Sequence, residues 1–379
     1  ITRFWPEPRA PPESATDSMD EIDEKVLRRY DVGAKLGKGA YGVVWRATDS
    51  KTGDVVALKK IFDAFQNPTD SQRTFREIVF LRQMEHENIV ALHRTMRADN
   101  DKDIYLVFEH METDLHAVIR ADILEEVHRQ YIVYQTLKAL WYMHSAQLVH
   151  RDMKPSNLLL NSECLVKVAD FGLARSLLDD GGIDEGGPSD NVLTDYVATR
   201  WYRAPEILLG SSRYALPVDM WSLGCILGEM LGGKPIFPGT STLDQIEKVC
   251  ETLGRPTDGE VAAMQSPFAA TMLDSIVCPP PPGKGWAARF PGASDAARDL
   301  LAQLMRFEPD ARVGARDALG HPYCADFHRP DAVPVPHRLG RPVGAPLDDN
   351  KKRGTRVYRD ALYATIEEEE RRGGRNTKV

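Results

Sequence analysis

The stretch HRDMKPSN, residues 150–157, decides the fold of this chain together with the triplet DFG at residues 170–172. Between them, residues 165–168 form a short β-strand pattern, which predicts a hairpin joining the two motifs. As an alternative, Asp152 could be a helix-capping residue in a polar loop, with no catalytic role. That alternative does not predict the triplet APE at residues 204–206, which follows in the same order along the chain. The three motifs therefore indicate one functional loop system.

The charged and amide residues of these motifs are of the types that phosphoryl transfer requires. The reaction needs an acceptor for a hydroxyl proton, a cation near the γ-phosphate and oxygen ligands for magnesium. Asp152 is the candidate acceptor and Lys154 the candidate cation. Asn157 and Asp170 are the candidate metal ligands, because magnesium prefers hard oxygen donors.

Upstream, the motif LGKGAYGVV at residues 36–44 contains Gly37, Gly39 and Gly42. Taken alone, this G-x-G-x-x-G pattern is weak, because dinucleotide-binding folds share it. In those folds the glycines open a helix, whereas here a strand pattern resumes at residues 43–47. Strand, glycine turn and strand predict a flap whose backbone N–H groups can approach phosphates closely.

Lys59 ends the strand motif VALK, residues 56–59, and is a candidate for neutralising the α- and β-phosphates of a nucleotide. Lysine is common at strand ends, so this position alone favours an ordinary surface residue. The helix predicted for residues 71–84 offers Glu77 as an ion-pair partner. Combined with the downstream motifs, the sequence favours a Lys59–Glu77 pair.

The periodicity of apolar residues divides the chain into a β-rich part and a helical part. From Tyr30 to about Glu109, short β-branched runs surround one helix, and from Asp114 to about Tyr323 the pattern is mostly helical. We predict an α+β fold with a small β-rich N-lobe, a larger helical C-lobe and a C-terminal extension. The predicted ranges are 1–29 for an N-terminal tail, 30–110 for the N-lobe, 111–328 for the C-lobe and 329–379 for the extension.

The composition argues against several classes of protein. With 42% hydrophobic and 27% charged residues, the chain is typical of a folded globular protein. The net charge of -8 makes nucleic acid and anionic membranes poor partners. Five scattered cysteines argue against zinc and against a disulfide framework, and indicate a reducing compartment. We expect no signal peptide, and no run approaches the roughly 18 apolar residues of a membrane span.

The motifs resemble those of the eukaryotic protein kinases over about Tyr30 to His328, and more closely those of the MAP kinases. The features typical of that group are the activation motif TDY at residues 194–196, QRTFRE at 72–77, METD at 111–114 and an insert at about 240–290. Stretches such as DAFQNPTDSQRTFREI are most similar to the atypical mitogen-activated protein kinase 15 class, which includes the seventh and eighth extracellular signal-regulated kinases. Asp195 stands where animal members usually carry Glu.

This resemblance implies a serine/threonine kinase that uses ATP and Mg²⁺, prefers sites followed by proline and activates itself. The activation segment would span residues 170–206, with Thr194 and Tyr196 as its phosphorylation sites. Phosphate on Thr194 would be bound by Arg76, Arg151 and Arg175. Phosphate on Tyr196 would be bound by Arg200 and Arg203.

The resemblance also implies a set of nucleotide-binding residues. Phe108 takes the gatekeeper position, and Glu109 to Met111 take the hinge that binds adenine through backbone groups. The implied nucleotide-binding residues are Leu36, Gly37, Gly39, Gly42, Val44, Ala57, Lys59, Phe108, Glu109, Met111, Asp114 and Leu159.

Two segments near the C-terminus carry further expectations. Residues 326–335 have Asp326 and Asp331 as their acidic residues, with His328 and Arg329 between them. Standard MAP kinases bind basic docking peptides at an acidic cluster there, so we expect those peptides to bind this chain poorly. Residues 351–371 show roughly helical apolar spacing, which predicts an amphipathic helix packed on the small lobe, with an exposed helix as the alternative. The apolar positions are Val357, Leu362, Tyr363 and Ile366.

Other readings of the sequence remain open. A pseudokinase scaffold would usually lack a residue of the set Lys59, Glu77, Asp152, Asn157 and Asp170, all of which are present. A conventional MAP kinase would need an upstream activator. The expected partners are protein substrates and a regulatory or scaffold protein, and the expected state is a monomer. By resemblance, the expected location is the cytoplasm, at cytoskeletal, centriolar or ciliary structures.

Overall fold

The computed structural model describes residues 22–39, 42–177, 200–211, 215–278, 283, 285–329, 343–347 and 351–375. They fall into two compact units. The first unit is drawn from residues 1–112, 171–173 and 345–379, and the second from residues 113–170 and 174–344. The first unit carries a five-stranded sheet and the second is mainly helical, which confirms the predicted α+β fold.

An antiparallel sheet forms the centre of the first unit, in the strand order β1-β2-β3-β5-β4. Its strands are β1 (Tyr30–Gly39), β2 (Gly42–Asp49), β3 (Val55–Ile61), β4 (Leu92–Arg97) and β5 (Ile104–Glu109). In β2 and β3, buried and more exposed positions alternate, as expected for strands with one face on a core. The register places Lys59 opposite Leu106 and Ala57 opposite Phe108.

A short helix, α1 (Glu24–Leu27), precedes the sheet, in a region that the sequence assigned to an N-terminal tail. Ile22 and Val26 are buried in the same core cluster as the β2 residue Trp45. The hydroxyl of Tyr105 donates to the Asp23 carboxylate at 3.0 Å and accepts from the Asp23 amide at 3.1 Å. Residues 22–29 are therefore part of the folded unit, because apolar burial and these bonds offset the entropy of ordering them.

Helix α2 (Pro68–Leu81) is the one helix predicted within the β-rich part, although the prediction placed it at residues 71–84. The helix begins earlier because Asn67 caps it, accepting hydrogen bonds from the amides of Thr69 at 3.0 Å and Asp70 at 2.9 Å. Pro68 occupies the first helical position, where its missing N–H has no cost.

The second unit contains ten helices among its described residues. They are α3 (Leu115–Arg120), α4 (Glu126–Ser145), α5 (Pro205–Leu208), α6 (Pro217–Gly232), α7 (Thr242–Leu253), α8 (Asp258–Ala263), α9 (Ala269–Asp274), α10 (Gly285–Arg289), α11 (Asp295–Leu304) and α12 (Ala315–Leu319). The short strands are β6 (Thr113–Asp114), β7 (Leu148–Val149), β8 (Leu158–Leu160), β9 (Val166–Val168) and β10 (Arg175–Ser176).

Helix α6 lies in the core of this unit, and nearly all its side chains are buried. A helix that is apolar on every side is expected in such a position. Gly228 allows a close approach, because a Cβ atom there would lie 2.7 Å from the side chain of Ile236. Trp221 of the same helix is fully buried and stacks on Phe237 with ring centroids 6.2 Å apart.

A buried ion pair between Glu206 and Arg312 joins α5 to the chain ahead of α12. The guanidinium of Arg312 donates to both Glu206 carboxylate oxygens, at 2.7 and 2.6 Å. Its other donors bond the carbonyls of Arg306, Phe307 and Pro217, so all five N–H groups are used. The two side chains are 0% and 2% exposed.

The C-terminal helix α13 (Thr355–Arg375) belongs to the first unit, where it packs on α2. The Tyr358 ring lies 5.6 Å from that of Phe75 on α2, and Leu362 and Ile366 are buried. Val357, predicted to share the apolar face, is instead 42% exposed. Positions 358, 362 and 366 are spaced by four and line one face, and Val357 points away from it. Among the described residues, no helix has the length and apolar character needed to cross a membrane.

Candidate active site

The loop after β7 gathers three predicted catalytic and metal-binding residues. The Lys154 ammonium lies 2.6 Å from a carboxylate oxygen of Asp152. The Asn157 amide donates to the same oxygen at 3.1 Å and to the Asp152 carbonyl at 2.8 Å. Asp152 and Asn157 are buried, whereas Lys154 is partly exposed. One turn, Pro155–Asn157, thus brings a carboxylate, a cation and a side-chain amide together.

The carboxylate of Asp219, in the first turn of α6, fixes the start of this loop. It accepts the backbone amides of His150 and Arg151, each at 2.9 Å, and contacts the His144 ring at 3.0 Å. Burial acts to raise the pKa of Asp219, but the bonds and charges of the two histidines outweigh it and bring the pKa below its ordinary value. Arg151 has φ +69°, a conformation that costs a non-glycine residue energy and that these bonds help to hold.

Histidine 150 links the loop to the residue before Asp170. Its Nδ1 accepts the Asp152 amide at 3.3 Å, so its Nε2 is the donor to the Ala169 carbonyl at 3.1 Å. The Ala169 amide in turn donates to the Asn157 carbonyl at 2.9 Å. Ala169 is thus hydrogen-bonded to the catalytic loop through both its carbonyl and its amide. Asp170 follows it directly in the chain.

The first unit contributes the predicted pair of Lys59 on β3 and Glu77 on α2. The ammonium lies 2.6 Å from the carboxylate, and the side chains are 26% and 7% exposed. Lys59 also lies 6.0 Å from the centroid of the buried Phe108 ring. The strand and the helix together hold a partly accessible ammonium next to one buried carboxylate.

The glycine-rich turn joins β1 to β2, with Gly39 opposite Gly42; residues 40 and 41 lie outside the described part. A Cβ atom on Gly37 or Gly39 would meet nothing within 4 Å, so the backbone there is open to a ligand. A Cβ atom on Gly42 would collide with the Lys60 carbonyl. Gly42 is therefore required for strand packing, whereas Gly37 and Gly39 leave room for phosphate oxygens.

Residues of the predicted nucleotide pocket occur in both units. In the first, Glu109 is tied to Ala91 twice, by its amide at 3.1 Å and by its carboxylate, which accepts the Ala91 amide at 2.6 Å. Met111 is buried and Leu36 is 46% exposed. In the second, Asp114 caps α3 and pairs with Leu159 across β6 and β8.

The arginines predicted to bind phosphate also occur in both units. Arg76 lies buried on α2 in the first unit. In the second, Arg175 pairs with Val149 on the strand that leads into the catalytic loop, which carries Arg151 two residues later. Arg200 donates to the Thr240 carbonyl at 3.0 Å. Thr194 and Tyr196 lie outside the described residues.

A protein kinase domain model matches residues 30–324. The chain is 58% identical over 350 residues to extracellular signal-regulated kinase 2 of Dictyostelium discoideum, which covers 92% of this chain and 93% of the relative. This chain is a MAP kinase of the protein kinase family. It is also 51% identical to mitogen-activated protein kinase 15 of Xenopus laevis, over 92% of this chain and 58% of the relative. With extracellular signal-regulated kinase 7 of Drosophila melanogaster it shares 44% identity, over 93% of this chain and 38% of the relative.

Sequence reasoning missed one contact of this MAP kinase, between α2 and the DFG triplet. A Cβ atom on Gly172 would lie 2.6 Å from the side chain of Arg73. Glycine is needed there because the arginine stem occupies the space that any other side chain would take. The signal was present in the motif itself, which ends in glycine, but its partner could not be read from the sequence.

The residues of the loop and of the DFG triplet include the kinds of donor that magnesium prefers. Asn157 and Asp170 offer an amide oxygen and carboxylate oxygens, the donors that Mg²⁺ prefers. Among the described residues, no group of three or more His, Cys, Asp or Glu side chains is placed to hold a metal ion. Mg²⁺ usually keeps waters and substrate phosphate oxygens among its ligands, so a sparse protein set fits it.

Proposed function

We propose that this MAP kinase transfers the γ-phosphoryl group of ATP to Ser or Thr hydroxyls followed by proline. The observation that carries the proposal is the Asp152–Lys154–Asn157 cluster, anchored through Asp219. Catalysis of this kind depends on positioning and electrostatics more than on covalent chemistry. A loop with its carboxylate, cation and amide already bonded together meets that requirement.

Each residue has a distinct task in this proposal. Asp152 orients the substrate hydroxyl and accepts its proton, while Lys154 stabilises negative charge on the transferred group. Lys59, held by Glu77, binds the α- and β-phosphates. Asn157 and Asp170 would hold Mg²⁺, which supplies positive charge to neutralise the phosphate oxygens.

We further propose that the kinase phosphorylates its own Thr194 and Tyr196. The similarity to the mitogen-activated protein kinase 15 relatives supports this, together with the retained catalytic residues. Phosphate on Thr194 brings nearly two negative charges, for which Arg151 and Arg175, both near β7, are suitable partners. Acceptance of proline follows the family resemblance, because proline brings no N–H group that must be satisfied.

The test is mass spectrometry of dephosphorylated protein before and after Mg²⁺ and ATP, beside an Asp152→Asn variant. We expect phosphate on Thr194 and Tyr196 in the native chain only. A peptide array run in parallel should favour Ser-Pro and Thr-Pro over the same peptides with Ala after the acceptor. If the chain stays unmodified yet phosphorylates peptides after treatment with an upstream kinase, the conventional MAP kinase reading replaces self-activation.

We also propose that basic docking peptides bind this kinase weakly. Within residues 326–329 one carboxylate, Asp326, precedes the ring of His328 and the cation of Arg329. Phe327 and His328 pack on α4, with the Phe327 ring 4.8 Å from that of Tyr131 and the His328 ring 6.4 Å from that of Tyr134. Asp331 lies outside the described residues. A fluorescence titration with a basic docking peptide should show little binding, and submicromolar affinity would contradict the proposal.

A further inference from the structure

A buried glutamine on α4, Gln135, lies against the hairpin that connects the two predicted metal ligands. Asn157 directly precedes the first strand of this hairpin, β8, and Asp170 follows the second strand, β9, after one intervening residue. Gln135 is fully buried, although glutamine is mostly found at protein surfaces. A buried side-chain amide needs hydrogen-bond partners, and those partners indicate what the residue does.

The side-chain amide of Gln135 bonds two main-chain groups of the hairpin. Its nitrogen donates to the Cys164 carbonyl at 2.8 Å, and its oxygen accepts the Val166 amide at 3.0 Å. The same nitrogen makes a longer contact of 3.4 Å to the Tyr131 carbonyl within α4. Strand β9 is an edge strand of the sheet β6-β8-β9, and an edge offers carbonyl and amide groups that a further strand would bond. The Gln135 amide takes the place of that strand.

The turn between β8 and β9 is held from two sides. Within the turn, the side-chain oxygen of Asn161 accepts the amides of Glu163 at 3.1 Å and Leu165 at 2.9 Å. Cys164 has φ +61°, a conformation that costs a non-glycine residue energy. The bond from Gln135 to the Cys164 carbonyl supports this conformation from the side of α4.

The register of the hairpin determines how the two metal ligands are spaced. Leu160 pairs with Val166 at the end of the hairpin next to the turn. A slip of one residue would move every side chain of β9 to the opposite face and would displace Asp170 relative to Asn157. Because Val166 is the first residue of β9, its bond to α4 opposes such a slip where the strand begins.

We propose that Gln135 is a positioning residue for the magnesium site, because its two bonds keep the β8–β9 hairpin in the register that spaces Asn157 and Asp170. The inference rests on the proposed function, which assigns these two residues to Mg²⁺. Without the Gln135 amide, a buried carbonyl and a buried N–H group would lose their partners, and the hairpin would have to move to satisfy them. The two ligands would then no longer be held at one spacing.

The test compares the native chain with Gln135→Met, which keeps the approximate volume of the side chain and removes its amide. The melting temperature of the whole chain, saturated with ADP, is followed as Mg²⁺ is added. Losing a group that orients a metal ligand typically lowers metal affinity 10–100-fold. Gln135 acts one step further from the metal, so we expect the Mg²⁺ concentration at half the rise to increase about three- to tenfold.

Kinetics separate positioning of the metal site from a general effect on stability. In Gln135→Met the Mg²⁺ concentration for half-maximal peptide phosphorylation should rise by the same factor, while KM for the peptide changes by less than about twofold. A residue that only stabilises the fold would lower the melting temperature at every Mg²⁺ concentration. An unchanged Mg²⁺ dependence therefore overturns the proposal.

Amide hydrogen exchange of the metal-free kinase tests the bonds themselves. Gln135→Met should speed exchange in peptides covering residues 161–170, because the Val166 amide loses its acceptor. Exchange as slow as in the native chain would show that Gln135 does not hold the hairpin, and the proposal would be wrong.

Two further variants make the assignment specific. Thr136→Val is the matched control, since the buried Thr136 hydroxyl donates to the Ile132 carbonyl at 2.8 Å within α4. It should leave the Mg²⁺ dependence and the exchange of residues 161–170 as they are in the native chain. Asn161→Ala weakens the same turn at a less buried position and decides the question if Gln135→Met does not fold. It should also raise the Mg²⁺ concentration at half the rise, and a native value would contradict the proposal.

The native chain shows whether the proposed function itself holds. If Mg²⁺ neither raises its melting temperature with ADP nor supports peptide phosphorylation, the proposed function fails and this inference fails with it. If the native chain shows both effects and Gln135→Met shows the same Mg²⁺ dependence, the inference alone is wrong.

Discussion

The ion pair Lys59–Glu77 of the first unit and the ion pair Arg312–Glu206 of the second each join a helix to another part of the chain, and the two pairs differ in nearly every physical respect. Arg312 and Glu206 are almost wholly buried, and the guanidinium uses every donor on a protein acceptor. Lys59 and Glu77 meet at 2.6 Å, with about a quarter of the lysine side chain open to solvent. The Arg312–Glu206 pair is a buried contact whose role is structural. The Lys59–Glu77 pair leaves an ammonium accessible to a further anion.

The difference separates stability from activity. A desolvated charge that loses its partner is strongly destabilising, because neither water nor protein compensates it. A partly exposed ammonium contributes little to folding, since water competes for it. The role of the Lys59 ammonium in this proposal is to bind phosphate, so removing it should lower the rate of peptide phosphorylation.

The largest loss of stability is expected for Arg312→Leu. The substitution leaves the Glu206 carboxylate buried without its cation, and breaking a buried pair in this way costs about 3–5 kcal/mol. Urea unfolding, followed by circular dichroism, measures the change. Arg316→Leu, at an exposed position of the adjacent helix α12, is the matched control and should shift the midpoint little. Equal midpoints for the two variants would contradict this assignment.

A smaller loss is expected for Leu362→Ala on α13. The side chain is fully buried, and removing it leaves a cavity that costs about 2–4 kcal/mol. Because α13 packs on α2, which carries Glu77, phosphorylation of a peptide should also slow. Val357→Ala on the exposed side of the same helix is the control and should change the free energy of unfolding by less than about 0.5 kcal/mol.

Lys59→Met should separate the effect on stability from the effect on catalytic activity. We expect a smaller loss of unfolding free energy than for Arg312→Leu, because the Glu77 side chain keeps 7% exposure against 2% for Glu206, while kcat for peptide phosphorylation falls by about 10²-fold or more. The neighbouring Lys60 is the informative control, because it is buried on the opposite face of β3, 3.3 Å from Asp103. Lys60→Met should lower stability more than Lys59→Met and reduce turnover less. The reverse order would show that Lys59 is the structural lysine.

The smallest effect concerns pH and the hinge residue His110. Its pKa is lowered by burial first and by Arg46 second, while Glu112 acts in the opposite direction. The unfolded chain therefore binds the proton more tightly, so stability falls as pH drops below the ordinary value of 6.5 towards the lower folded-state pKa. His110→Gln should flatten this pH dependence in thermal melts between pH 7 and pH 5. His93→Gln, at an exposed position, should leave the slope unchanged.

The catalytic loop could be predicted because its residues are close in sequence. Asp152, Lys154 and Asn157 fall within six positions, so one local turn brings them together whatever the remaining chain does. The pairing of Lys59 with Glu77 needed more, because a strand and a helix must meet. It became a firm prediction only through the order of the motifs further along the chain.

Other features depended on packing that no local pattern reports. The apolar spacing predicts an inward-facing Val357 and does not single out Tyr358, because tyrosine is equally common at surfaces and in cores. The sequence of residues 22–29 is typical of a tail, since the burial of Val26 requires the finished sheet.

The first unit is assembled from segments that lie far apart in the chain, and their order matters while the protein is being made. Its sheet and α2 precede residue 112, whereas α13 begins at Thr355. At translation rates of about 5–20 residues per second, roughly 10–50 s separate the two during synthesis. Throughout that interval Phe75 has no Tyr358 to pack against, so a nascent chain presents an apolar surface to chaperones and proteases. The first unit of ribosome-bound kinase should therefore be completed only after α13 has left the exit tunnel.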